Sequence, residues 1–92
     1  MTRIIIKKLI WDSWNVEHIK KHKVSVEDVE EAIRNFLGHK QTYKGRYIAI
    51  GRSKARLISV VVRRIETNVY YVVTARDSDR KERKIAYEKE SK

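Results

Sequence analysis

The sequence predicts an α+β domain in which helices pack against a small antiparallel sheet, in the order β-α-α-β-β-β-α. After a short first strand come two helix-like segments, and then β-branched and aromatic segments that are separated by short polar turns. A basic helix-like segment comes last. Strands joined by short turns pair antiparallel, because parallel pairing requires a long crossover connection. The length of 92 residues corresponds to one domain, 1–92, and the absence of cysteine excludes a disulfide framework and thiolate metal sites.

The first strand and the first helix are predicted for the N-terminal part of the chain. Residues 3–10 are rich in isoleucine and leucine and predict a short strand. Asp12 or Ser13 can cap a helix that runs to about His22. The side chains that this helix would direct to the core are Trp14, Ile19 and, near its start, Trp11.

A second helix is predicted from a capping-box-like start at Ser25, with Asp28 three residues later. Apolar residues then recur at spacings of three and four, which is the period of an amphipathic helix. These residues are Val26, Val29, Ile33 and Phe36. The helix is expected to end near Leu37 and Gly38, because glycine commonly follows the last helical turn.

Three consecutive strands and a last helix are predicted for the remainder of the chain. The strands cover 47–51, 57–64 and 69–76, and the turns are Lys44-Gly45, Lys54-Ala55 and Glu66-Thr67-Asn68. The middle strand is almost continuously aliphatic, so it is expected at the centre of the sheet with both faces buried. Ser78 or Asp79 can cap the helix, which runs to about Lys89. Its inward-facing residues are expected to be Ile85, Ala86 and Tyr87.

The charge is strongly positive and unevenly distributed. The chain carries a formal net charge of +10, with seven Lys/Arg against six Asp/Glu in 1–37 and fifteen against six in 38–92. A concentrated charge of one sign attracts polyanions and makes their binding salt-dependent. A lysine-rich solvated surface, as in heat-stable proteins, is the alternative. The segregation of charge favours nucleic acid as the partner.

Arginines gather where the predicted strands end. They are Arg52, Arg63, Arg64 and Arg76. If the strands pair in hairpin order, these side chains collect with tyrosines at an edge or on one face of the sheet. A guanidinium can bind a phosphate through two hydrogen bonds, and a tyrosine can stack on a base. Alternatively, Arg76 anchors the last helix through Asp79 or Glu82, and the sequence leaves both roles open.

Two histidines, His18 and His22, lie four residues apart on the predicted first helix and therefore share a face. This spacing can bind a metal, but no cysteine is present and no carboxylate obviously converges on the pair, so no metal site is predicted. The imidazoles are interpreted as structural or surface groups, or as a general acid and base for RNA cleavage. The sequence contains no phosphate-binding glycine loop, nucleophile elbow or HExxH motif, and no cofactor is expected.

The only markedly apolar N-terminal stretch, at 4–6, is too short for a signal peptide or a membrane span. A cytoplasmic protein without a membrane partner is therefore expected.

Two motifs in the chain resemble those of the BrnT family of type II toxins. The first is Trp11-Asp12, followed by Asn15 and by Lys21-His22-x-Val24-Ser25. The second is Thr74-Ala75-Arg76-x-x-x-Arg80-Lys81-Glu82-Arg83, followed by Tyr87. Members of the family typically show WD…KHGVS near the start and (S/T)AR…ER…Y near the end. Lys23 stands where the family usually has the glycine after the motif histidine.

This resemblance implies a RelE-like fold and a metal-independent ribonuclease that inhibits translation and is neutralised by a cognate antitoxin. In such enzymes the 2′-hydroxyl of the RNA attacks the adjacent phosphate. By position in the motifs, Arg76 would stabilise the negative charge of the phosphorane and His22 would act as acid or base or orient the site. Lys21 would contact phosphate or remain solvated. The strand argument adds Arg52, Arg63 and Arg64 as phosphate contacts.

Two other functions compete with the toxin interpretation. One is a non-catalytic RNA- or DNA-binding domain that uses the same basic sheet. The other is an interaction module whose positive surface receives an acidic partner chain.

Overall fold

A five-stranded sheet with helices on both faces forms the fold in the computed structural model, which describes residues 4–42 and 45–91. The elements are β1 (Lys8–Ile10), α1 (Ser13–Lys20), α2 (Val26–Arg34), β2 (Phe36–Gln41), β3 (Arg46–Ser53), β4 (Arg56–Glu66), β5 (Val69–Asp77) and α3 (Arg80–Glu90). The α+β class is confirmed, and β4 is the central strand, as the aliphatic sequence of this segment indicated. The RelE-like label stays a prediction.

The sheet is mixed, so the expectation of a wholly antiparallel sheet was wrong. Its strand order is β1-β5-β4-β3-β2, and β1 pairs with β5 in parallel. The other neighbouring strands are antiparallel, because short connections join them in sequence. Between β1 and β5 the chain forms α1, α2, β2, β3 and β4, so no turn dictates the direction of β1. It is also shorter than the predicted strand at 3–10, and Arg3 lies outside the described residues.

The strand β2 was not predicted, and the observed order is therefore β-α-α-β-β-β-β-α. The second helix ends at Arg34 rather than near Gly38, and Phe36 begins a strand instead of completing the apolar face of a helix. β2 contains Gly38, His39 and Lys40, which interrupt any alternation of apolar and polar residues. The strand exists because its backbone pairs with β3 across a short connection, although its own residues lack the pattern of a strand.

The predicted hairpin turns after β3 and β4 are confirmed. Lys54 and Asn68 adopt left-handed backbone angles, with φ of 57° and 64°. Such angles are typical of tight hairpins, and asparagine tolerates them well. Gly45 also has a positive φ, of 70°, while Lys44, which was predicted in the same turn, lies outside the described residues.

The two faces of the sheet carry different helices. α1 and α2 cover one face, where the main core contains Ile19, Val24, Val29, Ala32, Ile58, Val60, Val62 and Val72. α3 covers β2, β3 and part of β4 on the opposite face, where Ile50, Leu57 and Ala86 form a smaller core. Gly51 allows the close approach of α2 to β3, because a Cβ at this position would overlap the carbonyl oxygen of Ala32.

Two aromatic side chains that were predicted in the core face solvent instead. Trp14 is 56% exposed and Tyr87 is 52% exposed. α1 is held from its other side by Ile19 and by Asn15, whose side-chain amide donates to the carbonyls of Ile10 and Val72 at 2.9 and 3.0 Å. Because Asn15 fills the place where β1 ends beside β5, α1 does not need the indole of Trp14 to pack on the sheet.

Replacing Lys23 by glycine is expected to stabilise the protein by about 1 kcal/mol. α1 ends in a Schellman motif, with Val24 N–H donating to Ile19 and Lys23 N–H donating to Lys20. The motif holds Lys23 at a φ of 58°, where a side chain is strained and glycine is not. Urea unfolding of Lys23→Gly tests this prediction.

The matched control is Lys21→Gly, since Lys21 has an ordinary helical φ of −60°. Glycine there adds freedom only to the unfolded chain and is expected to lower stability. Equal effects of the two substitutions would contradict the role of the left-handed angle.

Candidate active site

A bidentate ion pair joins the end of β5 to the first turn of α3. Arg76 Nη1 donates to Glu82 Oε1 at 2.7 Å, and Nη2 donates to Oε2 at 2.9 Å. The Glu82 side chain is fully buried, whereas that of Arg76 is 34% exposed. A capping box places Glu82, since Asp79 and Glu82 each accept the backbone N–H of the other at 2.9 Å. The anchoring role that the sequence left open for Arg76 is thus present through Glu82.

The carboxylate of Glu82 remains ionised although it is buried. It accepts a hydrogen bond from Ser59 Oγ at 2.8 Å and lies 3.6 Å from Nζ of Lys40. Burial opposes ionisation, but hydrogen bonds from Arg76, the Asp79 N–H and Ser59 outweigh it and lower the pKa of Glu82 from 4.5 to about 2. Glu82 is therefore a fixed negative charge that positions Arg76, and not a proton donor near neutral pH.

The guanidinium of Arg76 keeps one pair of donors available. Nη1 also donates to the Asp77 carbonyl at 3.3 Å, but Nε has no hydrogen-bond partner in the ranges 4–42 and 45–91. While one edge binds Glu82, the fork formed by Nε and Nη2 remains open, and this fork matches two phosphate oxygens. On the same sheet face lies Thr74, whose Oγ1 is buried and without a partner among the described residues.

His22 lies at the end of α1, in a turn that is tied to the end of β5. Arg56 Nη1 donates to the carbonyl of Lys23 at 3.0 Å, and Arg56 Nε and Nη2 donate to Asp77 Oδ1 at 3.0 and 2.9 Å. His22 and Arg76 each precede one of these clamped residues in the chain. Both residues therefore lie near the same end of the sheet, but on opposite faces. His22 follows α1, whereas Arg76 pairs with Ser59 and binds Glu82 on the face that α3 covers, and no hydrogen bond joins the two side chains in the described structure. His22 is exposed, and its ring lies 5.9 Å from that of His18.

Arg63 and Arg64, which were predicted as phosphate contacts, are exposed on opposite faces of β4. Arg63 shares the face of Arg76, and its Cζ lies 5.4 Å from the ring centroid of Tyr71. Because Arg76 pairs with Ser59, four residues before Arg63, roughly 13 Å of strand separates the two arginines. A single phosphate does not bridge them, whereas an extended nucleic acid can contact both.

Neither Arg52 nor Lys21 contacts the ion pair of Arg76 and Glu82 by a hydrogen bond in the described residues. Arg52 Nε and Nη2 donate to Glu90 at 2.7 and 3.0 Å, and Nη1 donates to the Ala55 carbonyl at 2.7 Å. A phosphate contact by Arg52 stays a prediction, and it would require this ion pair to open. Lys21 is exposed beside Trp14 and His18, so it is free to meet an anion that approaches α1.

Some residues near the candidate site were not predicted as functional. Tyr71 donates its hydroxyl to Asp12 Oδ2 at 2.9 Å and lies beneath Arg63, and Trp14 stacks on His18. For the stacked pair of Trp14 and His18, the available sequence signal was the spacing of four residues between Trp14, His18 and His22, which places the three on one face of a helix. Nothing in the local sequence indicated the contact between Tyr71 and Asp12, because the two residues are 59 positions apart.

Neither a metal cluster nor a membrane-spanning helix is found in the part of the chain that the structure describes. No group of three or more His, Asp or Glu side chains there could hold a metal ion. None of the helices there is long and apolar enough to cross a membrane.

Comparison with known proteins identifies the fold. No family model matches the chain, and no curated protein matches it significantly. Among solved structures, the chain is similar to the crystal structure of the Brucella abortus ribonuclease toxin, BrnT, with a TM-score of 0.63 and 23% sequence identity. The similarity covers 79% of this chain and 97% of that one. The resemblance to BrnT that the two motifs indicated is therefore confirmed in three dimensions, and this protein has the BrnT fold.

Proposed function

We propose that this protein is the toxin of a type II toxin–antitoxin system, a metal-independent endoribonuclease that inhibits translation by cleaving RNA. The observation that carries the proposal is the open fork of Arg76, which buried Glu82 holds in place on the fold of a ribonuclease toxin. The excess of positive charge in 38–92 supports RNA as the substrate, because a polyanion is attracted to such a surface.

The reaction uses the 2′-hydroxyl of the RNA as nucleophile. Its oxygen forms a bond to the adjacent phosphorus, while the bond between that phosphorus and the 5′-oxygen of the next nucleotide breaks. The proton of the 2′-hydroxyl passes to a general base, and the departing 5′-oxygen receives a proton from a general acid. The products are a 2′,3′-cyclic phosphate and a 5′-hydroxyl, and the balance requires no metal and no cofactor.

Arg76 and His22 are the proposed catalytic residues. The Nε–Nη2 fork of Arg76 binds the non-bridging oxygens and stabilises the charge that develops on them, and Glu82 positions this fork. His22 moves a proton, and an RNA strand that passes round the end of β5 would meet both groups, since Arg76 and His22 lie on opposite faces near that end of the sheet. Arg63 contacts a further phosphate of the same strand.

An antitoxin is the proposed protein partner, and the cytoplasm is the proposed compartment. An antitoxin with an acidic segment would neutralise the toxin by covering the basic face around Arg76, because it would compete there with the phosphates of RNA.

RNA cleavage in the presence of EDTA tests the proposed function. The purified protein is expected to fragment total RNA at the same rate with and without the chelator and to leave 2′,3′-cyclic phosphate ends. His22→Ala is expected to slow cleavage by roughly 10²- to 10⁴-fold, because it removes a general acid or base. An RNA whose 2′-hydroxyls are replaced by hydrogen serves as the substrate control and should remain intact.

Intact RNA with salt-dependent binding would instead favour a non-catalytic nucleic-acid-binding domain. A parallel assay with translating ribosomes is needed, since cleavage only there would identify a ribosome-dependent enzyme. Cleavage that stops on chelation would contradict the proposed chemistry.

A further inference from the structure

A stripe of aromatic rings runs along the exposed side of α1 and its C-terminal turn. It consists of Trp14, His18 and His22, each four residues from the next. The rings of Trp14 and His18 are stacked, with centroids 4.7 Å apart and planes 10° from parallel. His18 and His22 meet edge to face at 5.9 Å. The stripe therefore ends at the imidazole that we propose as the acid or base.

The fold does not require this stripe. Trp14 leaves 56% of its surface in solvent, and α1 is anchored through Asn15 and Ile19 on its other side. By contrast, the neighbouring Trp11 is partly buried and donates from Nε1 to Glu30 Oε2 at 2.8 Å. An exposed indole contributes little to stability, so its stacked arrangement with His18 is available for a ligand.

The charges around the stripe favour an anion. Lys21 lies beside it without an acidic partner among the described residues, and its acidic neighbours already have partners. Glu17 lies 3.1 Å from Nζ of Lys20, and Asp12 accepts from the hydroxyl of Tyr71 at 2.9 Å. A shallow cavity of about 340 Å³ is lined by Ser13, Trp14, Glu17, His18 and Lys21. It offers a flat aromatic wall next to a lysine.

We infer that this stripe is a stacking platform for the unpaired bases of single-stranded RNA, with the indole of Trp14 as its main contact. Bases have a π-face that stacks on aromatic rings whatever their sequence, whereas the bases of a duplex already stack on each other. The platform rests on the proposed function and deepens it, because it selects single-stranded substrate. Nucleotides that stack along α1 lead towards His22, and the strand then passes round the end of β5 to reach the fork of Arg76 on the opposite face of the sheet.

Binding of a short 2′-O-methyl RNA, which has no free 2′-hydroxyl and stays intact, tests the platform by fluorescence anisotropy. Trp14→Ala is expected to weaken binding of the single strand roughly 5- to 100-fold, as expected for the loss of one stacked base. Trp14→Phe keeps a stacking ring and is expected to retain most of the affinity. Tyr87→Ala, which removes an aromatic ring of similar exposure from α3, is the matched control and is expected to bind as the wild type does.

An abasic oligonucleotide of equal length separates stacking from charge. It carries the same phosphates, so the platform predicts that Trp14→Ala and the wild type bind it equally. A second measurement does not depend on the alanine variant: the single strand should quench the tryptophan fluorescence of the wild type more strongly than that of Trp14→Phe, which retains only Trp11.

Unchanged RNA affinity of folded Trp14→Ala would overturn the platform. A loss of equal size for the abasic chain, or a loss only in Tyr87→Ala, would also overturn it. If the wild type binds RNA and cleaves it in all these cases, the proposed function stands without the platform. If the wild type binds no RNA, both fail.

Discussion

Replacing Arg76 by alanine is expected to slow RNA cleavage by roughly 10²- to 10³-fold, the usual cost of removing a donor that stabilises charge in the transition state. The fork of Nε and Nη2 is the part of the side chain that meets the phosphate, and Glu82 occupies the opposite edge. Arg76→Lys is expected to lose most of the activity as well, because an ammonium cannot bind Glu82 and offer a planar fork at once. Initial rates on a fluorescent RNA measure the effect.

Arg76→Ala also affects folding, so a second variant is needed to separate a loss of stability from a loss of catalysis. Arg76→Ala leaves the buried Glu82 charge without its principal partner, which is expected to cost about 3–5 kcal/mol. In Arg76→Ala combined with Glu82→Gln, the buried group is neutral and its amide oxygen can still accept from Asp79 N–H and Ser59. Arg34→Ala, at the end of α2, controls for the loss of one positive charge.

The outcome for the double variant decides the role of Arg76. If it folds, binds RNA and still cleaves at a third or more of the wild-type rate, Arg76 does not stabilise the transition state. If Arg34→Ala slows cleavage as much as Arg76→Ala does, the effect of Arg76→Ala results from the loss of one positive charge and not from its position.

Acid is expected to remove about 3 kcal/mol of the stability that Glu82 provides, as the pH falls from about 4.5 to about 2. The pKa of Glu82 is lowered in the folded protein from 4.5 to about 2, so the folded state favours the ionised carboxylate. This contribution is complete above the pKa of the unfolded chain and is lost as the pH falls through the folded pKa. Urea unfolding between pH 7 and the acid limit of folding measures it.

Glu82→Gln separates this contribution from that of the other carboxylates. The difference in unfolding free energy between wild type and Glu82→Gln should be largest at neutral pH and should shrink as the solution becomes acidic. Glu88→Gln, an exposed substitution on the same helix, controls for the loss of one negative charge. A difference between wild type and Glu82→Gln that does not vary with pH would show that Glu82 stabilises the fold only by packing and neutral hydrogen bonds.

The local parts of the fold were predictable from the sequence because short-range contacts produce them. The helix starts at Ser25 and Asp79 follow from side chains that accept N–H groups three residues later. The turn at Asn68 follows from the left-handed angle that asparagine tolerates. β2 was not predictable in the same way because Gly38, His39 and Lys40 lack the pattern of a strand, and the direction of β1 depends on the free edge of the distant strand β5.

The candidate site was predictable by residue type but not by arrangement. The motifs indicated Arg76 and His22, whose catalytic roles stay a prediction, and the structure places them near the same end of the sheet on opposite faces. Which edge of the Arg76 guanidinium remains open depends on the position of α3, and this position follows from packing against β2 and β3. The exposure of Trp14 was predicted wrongly, because helical spacing alone does not show that Asn15 and Ile19 already anchor the helix.

The sequence by itself determined the caps, the hairpins and the concentration of positive charge in 38–92, because each depends on residue types and on contacts close in the chain. The tertiary structure alone decided that β1 runs parallel to β5, that Glu82 is buried beneath Arg76, and that Trp14 faces solvent. These features depend on which surfaces remain available once the sheet and its helices pack together. That competition for burial and for backbone partners is settled by the whole chain and not by any segment of it.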